Sequence, residues 1–278
     1  MDLQLAGKTA IITGGNSGIG IGLSLHFAAE GCNVVIVGRD MDKAREVAAR
    51  AEKLGGRAIA LQADVTDRAA VEAMTRQAME HFGPISVLIN NAGGPGTISP
   101  FEEKDDDALN WEIDLNIRGV IHCIQAVGKT MLASGGGSII NISSASSVVP
   151  KSGMGMVNYA GTKGYVDSLT RALAFEWASK GVRVNAISPG WIIPYSREDV
   201  SSGSNWRRFA FDVFGDPDDA RARIAAGTDS YISGDDLPLR RAGSPDDIAR
   251  AALFLASDAS SYFTGQMLSV SGGSYMAS

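Results

Sequence analysis

Apolar and polar positions along the chain fall into short β-branched runs separated by longer stretches with helical periodicity. The runs at 9–13, 34–37, 58–61, 87–89, 139–142, 182–187 and 267–270 predict strands. The Ala-, Leu-, Arg- and Glu-rich stretches at 19–29, 42–54, 68–81, 108–132, 157–179 and 245–256 predict the helices between them. Several strands are apolar on both faces, as required where helices cover a parallel sheet on each side. The alternation predicts a doubly wound α/β architecture with its ligand site at the carboxyl ends of the strands. One stretch breaks the rhythm. Residues 190–239 hold no convincing strand but are rich in Gly, Pro, Asp and aromatics, the composition of a lid or binding loop.

Composition narrows the function. The chain has 278 residues, 45% of them hydrophobic and 20% charged, an ordinary globular balance. No linker-like segment divides it, so one domain spanning 1–278 is expected. A net charge of -6 argues against nucleic acid or an anionic membrane as the main partner. Cys32 and Cys123 lie in apolar segments without partner spacing and read as reduced core thiols, which points to the cytoplasm. His26, His81 and His122 are scattered, so no metal site is expected. The first residues lack a signal-peptide pattern, and no run approaches the ~18 apolar residues that cross a bilayer.

The chemistry is carried by motifs. Gly14, Gly18 and Gly20, with Asn16, Ser17 and Ile19 among them, follow the first strand and open the first helix. Such a turn lets main-chain amides approach a pyrophosphate at a helix N-terminus. After the second strand the usual acid is replaced by Gly38, and Arg39 supplies a guanidinium suited to a 2′-phosphate. NADP(H) is therefore preferred and NAD(H) possible, because a small shift would bring Asp40 to the ribose instead. Asp64 and Val65 follow strand three, and Asn90-Asn91-Ala92-Gly93 follows strand four; both border the adenine side, although Asp64 reads equally well as a helix cap. Tyr159 and Lys163, four apart, share one helix face. A free tyrosine has a pKa near ~10, and a neighbouring cation favours the phenolate.

Together these motifs, with Ser143-Ser144 and Pro189-Gly190, resemble the short-chain dehydrogenase/reductase family in order and over nearly the whole chain. The resemblance implies a Rossmann-type sheet of about seven strands and hydride transfer between a nicotinamide cofactor and a ketone or secondary alcohol. It implies that Tyr159 is the general acid or base, that Lys163 lowers its pKa and holds the nicotinamide ribose, and that Ser144 hydrogen-bonds the substrate oxygen. Asn116 would support a proton-relay water, and Pro189, Gly190 and Ile192 would border the nicotinamide. It further implies a homo-oligomer, commonly a tetramer.

Two departures stand out. Ser144 lies fifteen positions before Tyr159, longer than the usual dozen, and Ser146 lies thirteen before it, so Ser146 stays an alternative. Pro194 stands where the family often places threonine. The substrate is expected to be apolar or cyclic and to meet Trp191, Tyr195, Trp206 and Phe209 besides Ser144 and Tyr159. Arg207, Arg208, Arg221 and Arg223 keep open a 3-oxoacyl thioester carried on coenzyme A or an acyl carrier protein. A third reading, a dinucleotide sensor without chemistry, is disfavoured by the intact tyrosine and lysine.

Overall fold

A computed structural model describes residues 2–149, 155–204, 206–207, 211–230, 232 and 237–276. Seven parallel strands form one sheet: β1 (Thr9–Thr13), β2 (Asn33–Gly38), β3 (Arg57–Gln62), β4 (Ile85–Asn90), β5 (Gly137–Ile142), β6 (Val182–Pro189) and β7 (Met267–Val270). Their spatial order is β3-β2-β1-β4-β5-β6-β7, so the direction of winding reverses between β1 and β4. That reversal opens a crevice at the strand ends.

Helices α1 (Ile19–Ala29), α2 (Met41–Glu52) and α9 (Pro245–Ala256) pack with the cluster containing Ile12, Phe27, Ile36 and Leu253. The other face carries α3 (Arg68–Phe82), α5 (Gly119–Ser134) and α6 (Val157–Trp177) over Ile11, Leu88, Ile139 and Val184. Burial on both faces is why these strands are continuously apolar. On the first face α1 and α9 approach so closely that a Cβ on Gly22 would stand 2.5 Å from Pro245 Cβ.

Two regions differ from the sequence expectation. The helix expected over 108–132 is α4 (Asp106–Ile113), a π-helical turn over Asp114–Arg118, and then α5. Around the turn the apolar Leu109, Trp111, Ile113, Leu115 and Ile117 alternate with polar residues, so there is no helical period whose shift would reveal it. The stretch 190–239 contains α7 (Phe211–Phe214) and α8 (Pro217–Ala226). It also has a small core of its own, in which Ile193, Ala220, Ile224 and Leu237 are buried and Trp191 and Trp206 pack against them.

Candidate active site

A cavity of about 1000 Å³ lies across the carboxyl ends of β1, β2, β4, β5 and β6. The glycine turn forms one wall. Gly18, with φ +52, has nothing within 4 Å of an added Cβ, whereas a Cβ on Gly20 would lie 1.9 Å from the Gly14 oxygen. One glycine therefore leaves space for a ligand and the other allows the turn to close on itself. Asn91 braces the turn: its Nδ2 donates to the oxygens of Thr13 (3.0 Å) and Gly14 (3.2 Å). Of the residues expected to meet the cofactor, Gly14, Asn16, Ser17, Gly18, Ile19, Arg39, Asp64, Val65, Asn91, Ala92, Gly93, Pro189, Gly190 and Ile192 line this cavity, and Gly20 stands behind it. An open glycine cradle, a helix N-terminus and an elongated cavity fit a dinucleotide.

At the end of β2 a Cβ on Gly38 would meet the Asn16 side chain at 2.5 Å. The place an acid would take is thus filled by an amide, whose Nδ2 donates to the Asp40 oxygen (3.0 Å). Asp40 caps α2, its Oδ1 accepting from Lys43 N (3.1 Å). Arg39 is half-exposed, with Nη1 3.6 Å from Asp64 Oδ2. Asp64 does not cap α3, a role held by Asp67. Burial works against its charge, but hydrogen bonds from Thr66 and the Arg39 guanidinium hold its carboxyl below the usual carboxylate range.

Further along, Ser144 from the end of β5 and Tyr159 and Lys163 from α6 share the cavity wall. The Ser144 hydroxyl stands close enough to the Tyr159 hydroxyl to favour its ionised form. The Ser144 Oγ also accepts from Ser146 N (3.1 Å), and Ser146 itself lies in the turn behind, outside the cavity lining. Lys163 Nζ donates to the Ile142 oxygen (2.8 Å) and stands 5.7 Å from the Tyr159 ring centroid. Asn116 sits in the π turn, fully buried, exchanging hydrogen bonds with Gly94: its Oδ1 accepts from Gly94 N (2.8 Å) and its Nδ2 donates to Gly94 O (2.9 Å). A Cβ on Gly93 would lie 2.7 Å from Asn116 Oδ1 and 3.1 Å from Lys163 Nζ. Glycine is what allows these two groups to meet there.

The electrostatics correct one expectation. The Tyr159 phenol is pushed up to about 12 by burial, with the Glu112 carboxylate adding to the rise and the Ser144 hydroxyl opposing it. Lys163 is pulled down to about 8, again by burial, against the favourable charge of Asp167. Desolvation of both groups outweighs the mutual help expected from their spacing. Glu112 could not be singled out in advance, because an acid on a helix pattern reads as a solvated face.

Beyond Tyr159 the cavity is lined by Ile98, Trp111, Leu115, Met156, Trp191 and Trp206, with no charged side chain among the described residues of that part. Trp191 and Trp206 were expected there; Ile98, Trp111 and Met156 were not, since each lies outside the aromatic-rich stretch. Tyr195 is a correction. It points between α1 and α9, donating its hydroxyl to Asp246, which is also 2.9 Å from His26 Nε2. Phe209 and Arg208 lie outside the described residues. Arg221 donates to the oxygens of Pro194 (2.5 Å) and Tyr195 (2.7 Å), Arg207 to that of Val200 (3.0 Å), and Arg223 pairs with Asp229 (3.3 Å). These arginines brace the segment internally and do not line the cavity. Among the described residues no His, Cys, Asp and Glu cluster could hold a metal ion, and no helix is long and apolar enough to cross a membrane.

This fold and cavity define a dinucleotide-dependent oxidoreductase. The short chain dehydrogenase model matches residues 8–203, and a model described as enoyl-(acyl carrier protein) reductase matches 222–275. The chain is 38% identical over 272 residues to 3beta-hydroxysteroid dehydrogenase 1 of Eggerthella lenta, covering 97% of this chain and 94% of that one. It is 35% identical to a 3-oxoacyl-acyl-carrier-protein reductase of Staphylococcus aureus, covering 97% and 98%. A solved 7 alpha-hydroxysteroid dehydrogenase, complexed with NADH and 7-oxo glycochenodeoxycholic acid, superposes with a TM-score of 0.82 at 34% identity, covering 98% and 96%. The chain belongs to the short-chain dehydrogenase/reductase family, NAD(P)-dependent oxidoreductases acting on CH–OH and C=O groups.

The buried lysine gives a pH signature. The folded protein releases the Lys163 proton near pH 8, while the unfolded chain keeps it to about 10.5. Between these values the unfolded state binds more protons, so stability rises with pH. Thermal unfolding of the ligand-free protein, compared with Lys163→Met, should show the parent gaining on the variant from pH 8 to pH 10. A constant difference would mean that the ammonium is not desolvated.

Proposed function

We propose that the protein interconverts an apolar, cyclic ketone and its secondary alcohol, with Tyr159 exchanging the proton and NADP(H) the preferred cofactor. The observation that carries the reading is the single cavity in which Ser144, Tyr159 and Lys163 stand between a glycine cradle and a surface of Ile98, Trp111, Leu115, Met156, Trp191 and Trp206. The cofactor supplies hydride when bound; the side chains supply position and the proton. Ser144 holds the substrate oxygen beside the Tyr159 hydroxyl. Tyr159 donates to that oxygen during reduction and takes its proton during oxidation. Lys163 holds the nicotinamide ribose and passes protons toward the Asn116–Gly94 corner.

Hydroxysteroid dehydrogenases among the relatives support a rigid polycyclic substrate. The acyl-carrier alternative, supported by the Staphylococcus relative, is less well served here because Arg207, Arg221 and Arg223 are engaged inside their own segment. We also place this protein in the cytoplasm, in keeping with its buried free thiols Cys32 and Cys123. We further propose a homo-oligomer, commonly a tetramer, which would cover Phe175 on α6 (92% exposed) and Tyr262 (101%).

A screen of 3- and 7-oxosteroids, decalones and acetoacetyl-coenzyme A, followed by NADPH and NADH absorbance, tests the substrate class; turnover of the thioester alone would favour the alternative. Tyr159→Phe should lower turnover by about 10²–10⁴-fold while cofactor still binds. Ser144→Ala should be far more damaging than Ser146→Ala, and the opposite ranking would exchange the two serines.

Cofactor choice rests on Arg39. A charge-assisted contact to a 2′-phosphate is worth about 1.5–3 kcal/mol, roughly ten- to a hundredfold in affinity. Arg39→Ala should erase the NADPH preference in a binding titration and leave NADH affinity nearly unchanged. Preference of the parent protein for NADH would refute the assignment.

The segment 190–239 is proposed as the lid. Asp199 O accepts from Gly18 N (2.9 Å), Ser201 N donates to Ser17 Oγ (3.1 Å), and Arg50 Nη1 meets Asp199 Oδ1 at 2.6 Å. These contacts fasten it to the glycine turn and α2. Amide-exchange protection across the segment should rise when cofactor and steroid are both bound, and unchanged protection would make it a fixed element.

A further inference from the structure

Glu112 is buried on α4, although in sequence it reads as an exposed helix position. Its Oε1 accepts from Gly96 N at 2.6 Å and lies 3.5 Å from Lys104 Nζ, with both side chains only 1% exposed. Its Oε2 accepts from Asn158 Nδ2 at 2.6 Å. Lys104 Nζ also donates to the Thr97 oxygen (2.7 Å). The fit is tight, since a Cβ on Gly96 would stand 3.0 Å from Glu112 Cγ and Oε1. A buried ion pair is a poor way to stabilise a fold, because desolvation consumes most of the Coulombic gain. Its location suggests another use. One oxygen holds the strand-to-helix loop whose Gly94, Pro95 and Ile98 line the cavity, and the other holds the residue next to Tyr159.

The geometry points to Glu112 as a positioning residue for Tyr159: through Asn158 it fixes where the phenol stands, and it brings a buried carboxylate, paired with Lys104, to the Tyr159 side of the cavity. The inference rests on the reading of Tyr159 as the proton-transferring group. Besides Glu112 with Lys104 behind it, the groups facing Tyr159 are Lys163 on its own helix and Ser144 at the end of β5; Asp167 acts on Lys163 from one turn further along α6. The carboxylate is among the groups that raise the phenol, in keeping with like-charge repulsion of the tyrosinate. A neutral residue at 112 would leave Tyr159 a stronger acid.

The titration reads Tyr159 directly and needs no substrate. Protein labelled with 13C at tyrosine Cζ and saturated with NADP+ is titrated by NMR, with the Tyr159 signal assigned by its loss in Tyr159→Phe. In Glu112→Gln the signal should titrate at a pH lower than in the parent by roughly half a unit or more. In Lys104→Met, where the carboxylate is left uncompensated, it should titrate higher. The double variant Glu112→Gln/Lys104→Met leaves no unpaired interior charge and keeps the experiment decisive if a single variant does not fold; its signal should also titrate below the parent. Coincident curves, or a rise in Glu112→Gln or in the double variant, would overturn the inference. Turnover of Tyr159→Phe separates the two failures. If that variant is inactive and the titrations coincide, only the role of Glu112 falls; if it remains active, the reading of Tyr159 falls first.

Discussion

The ammonium of Lys163 donates to the Ile142 main chain from a site with 3% exposure, and the surrounding elements are arranged to make that burial tolerable. A desolvated cation needs acceptors at short range and no competing bulk. The acceptor comes from the last residue of β5, which fixes α6 relative to the sheet. The space comes from Gly93, where any side chain would collide with both Nζ and Asn116. The compensating carboxylate is Asp167, one turn further along α6, itself held by the Ser147 hydroxyl at 2.7 Å. Nearby, the buried chain of Asn90, Asn141 and Thr170 joins β4, β5 and α6 at 2.8 and 2.9 Å. Sheet, helix and π turn therefore meet at one polar point, and the geometry of the cavity is inherited from it.

Much of this was legible in the sequence because it follows from periodicity and from glycine. The seven strands and the helices covering them are written in continuous apolar runs and amphipathic stretches. The glycine turn is recognisable because only glycine permits a turn so tight beside a helix. Three features were not legible, each for a physical reason. The π turn holding Asn116 falls where apolar and polar residues alternate, so no helical period marks it. Glu112 and Lys104 look like surface charges until the tertiary fold brings them together away from water. Tyr195 shares its aromatic character with Trp191 and Trp206, but its hydroxyl has an acceptor in Asp246 between α1 and α9, and that hydrogen bond turns it away from the cavity.

The stretch after β6 shows how an irregular connection acquires definition. Its Ile193, Ala220, Ile224 and Leu237 form a separate small core, so it holds its shape through its own burial. Arg221 ties α8 to the chain at Pro194 and Tyr195, which shapes the backbone where the family would otherwise supply a threonine. Arg207, Arg221 and Arg223, candidates for an external phosphate by sequence, are thus internal fasteners, and the surface presented to the cavity is left to tryptophan.

The contact between Gly38 and Asn16 has a meaning for how this protein can change. A carboxylate introduced at 38 would place its Cβ 2.5 Å from the Asn16 amide, and displacing that amide would release the Asp40 oxygen at the start of α2. A route that places an acid at the end of β2 therefore passes through an unfavourable intermediate unless position 16 shrinks first. The two sites are epistatic: the order of substitution matters, and a library varying only the β2 turn would sample sequences that the neighbouring loop rejects.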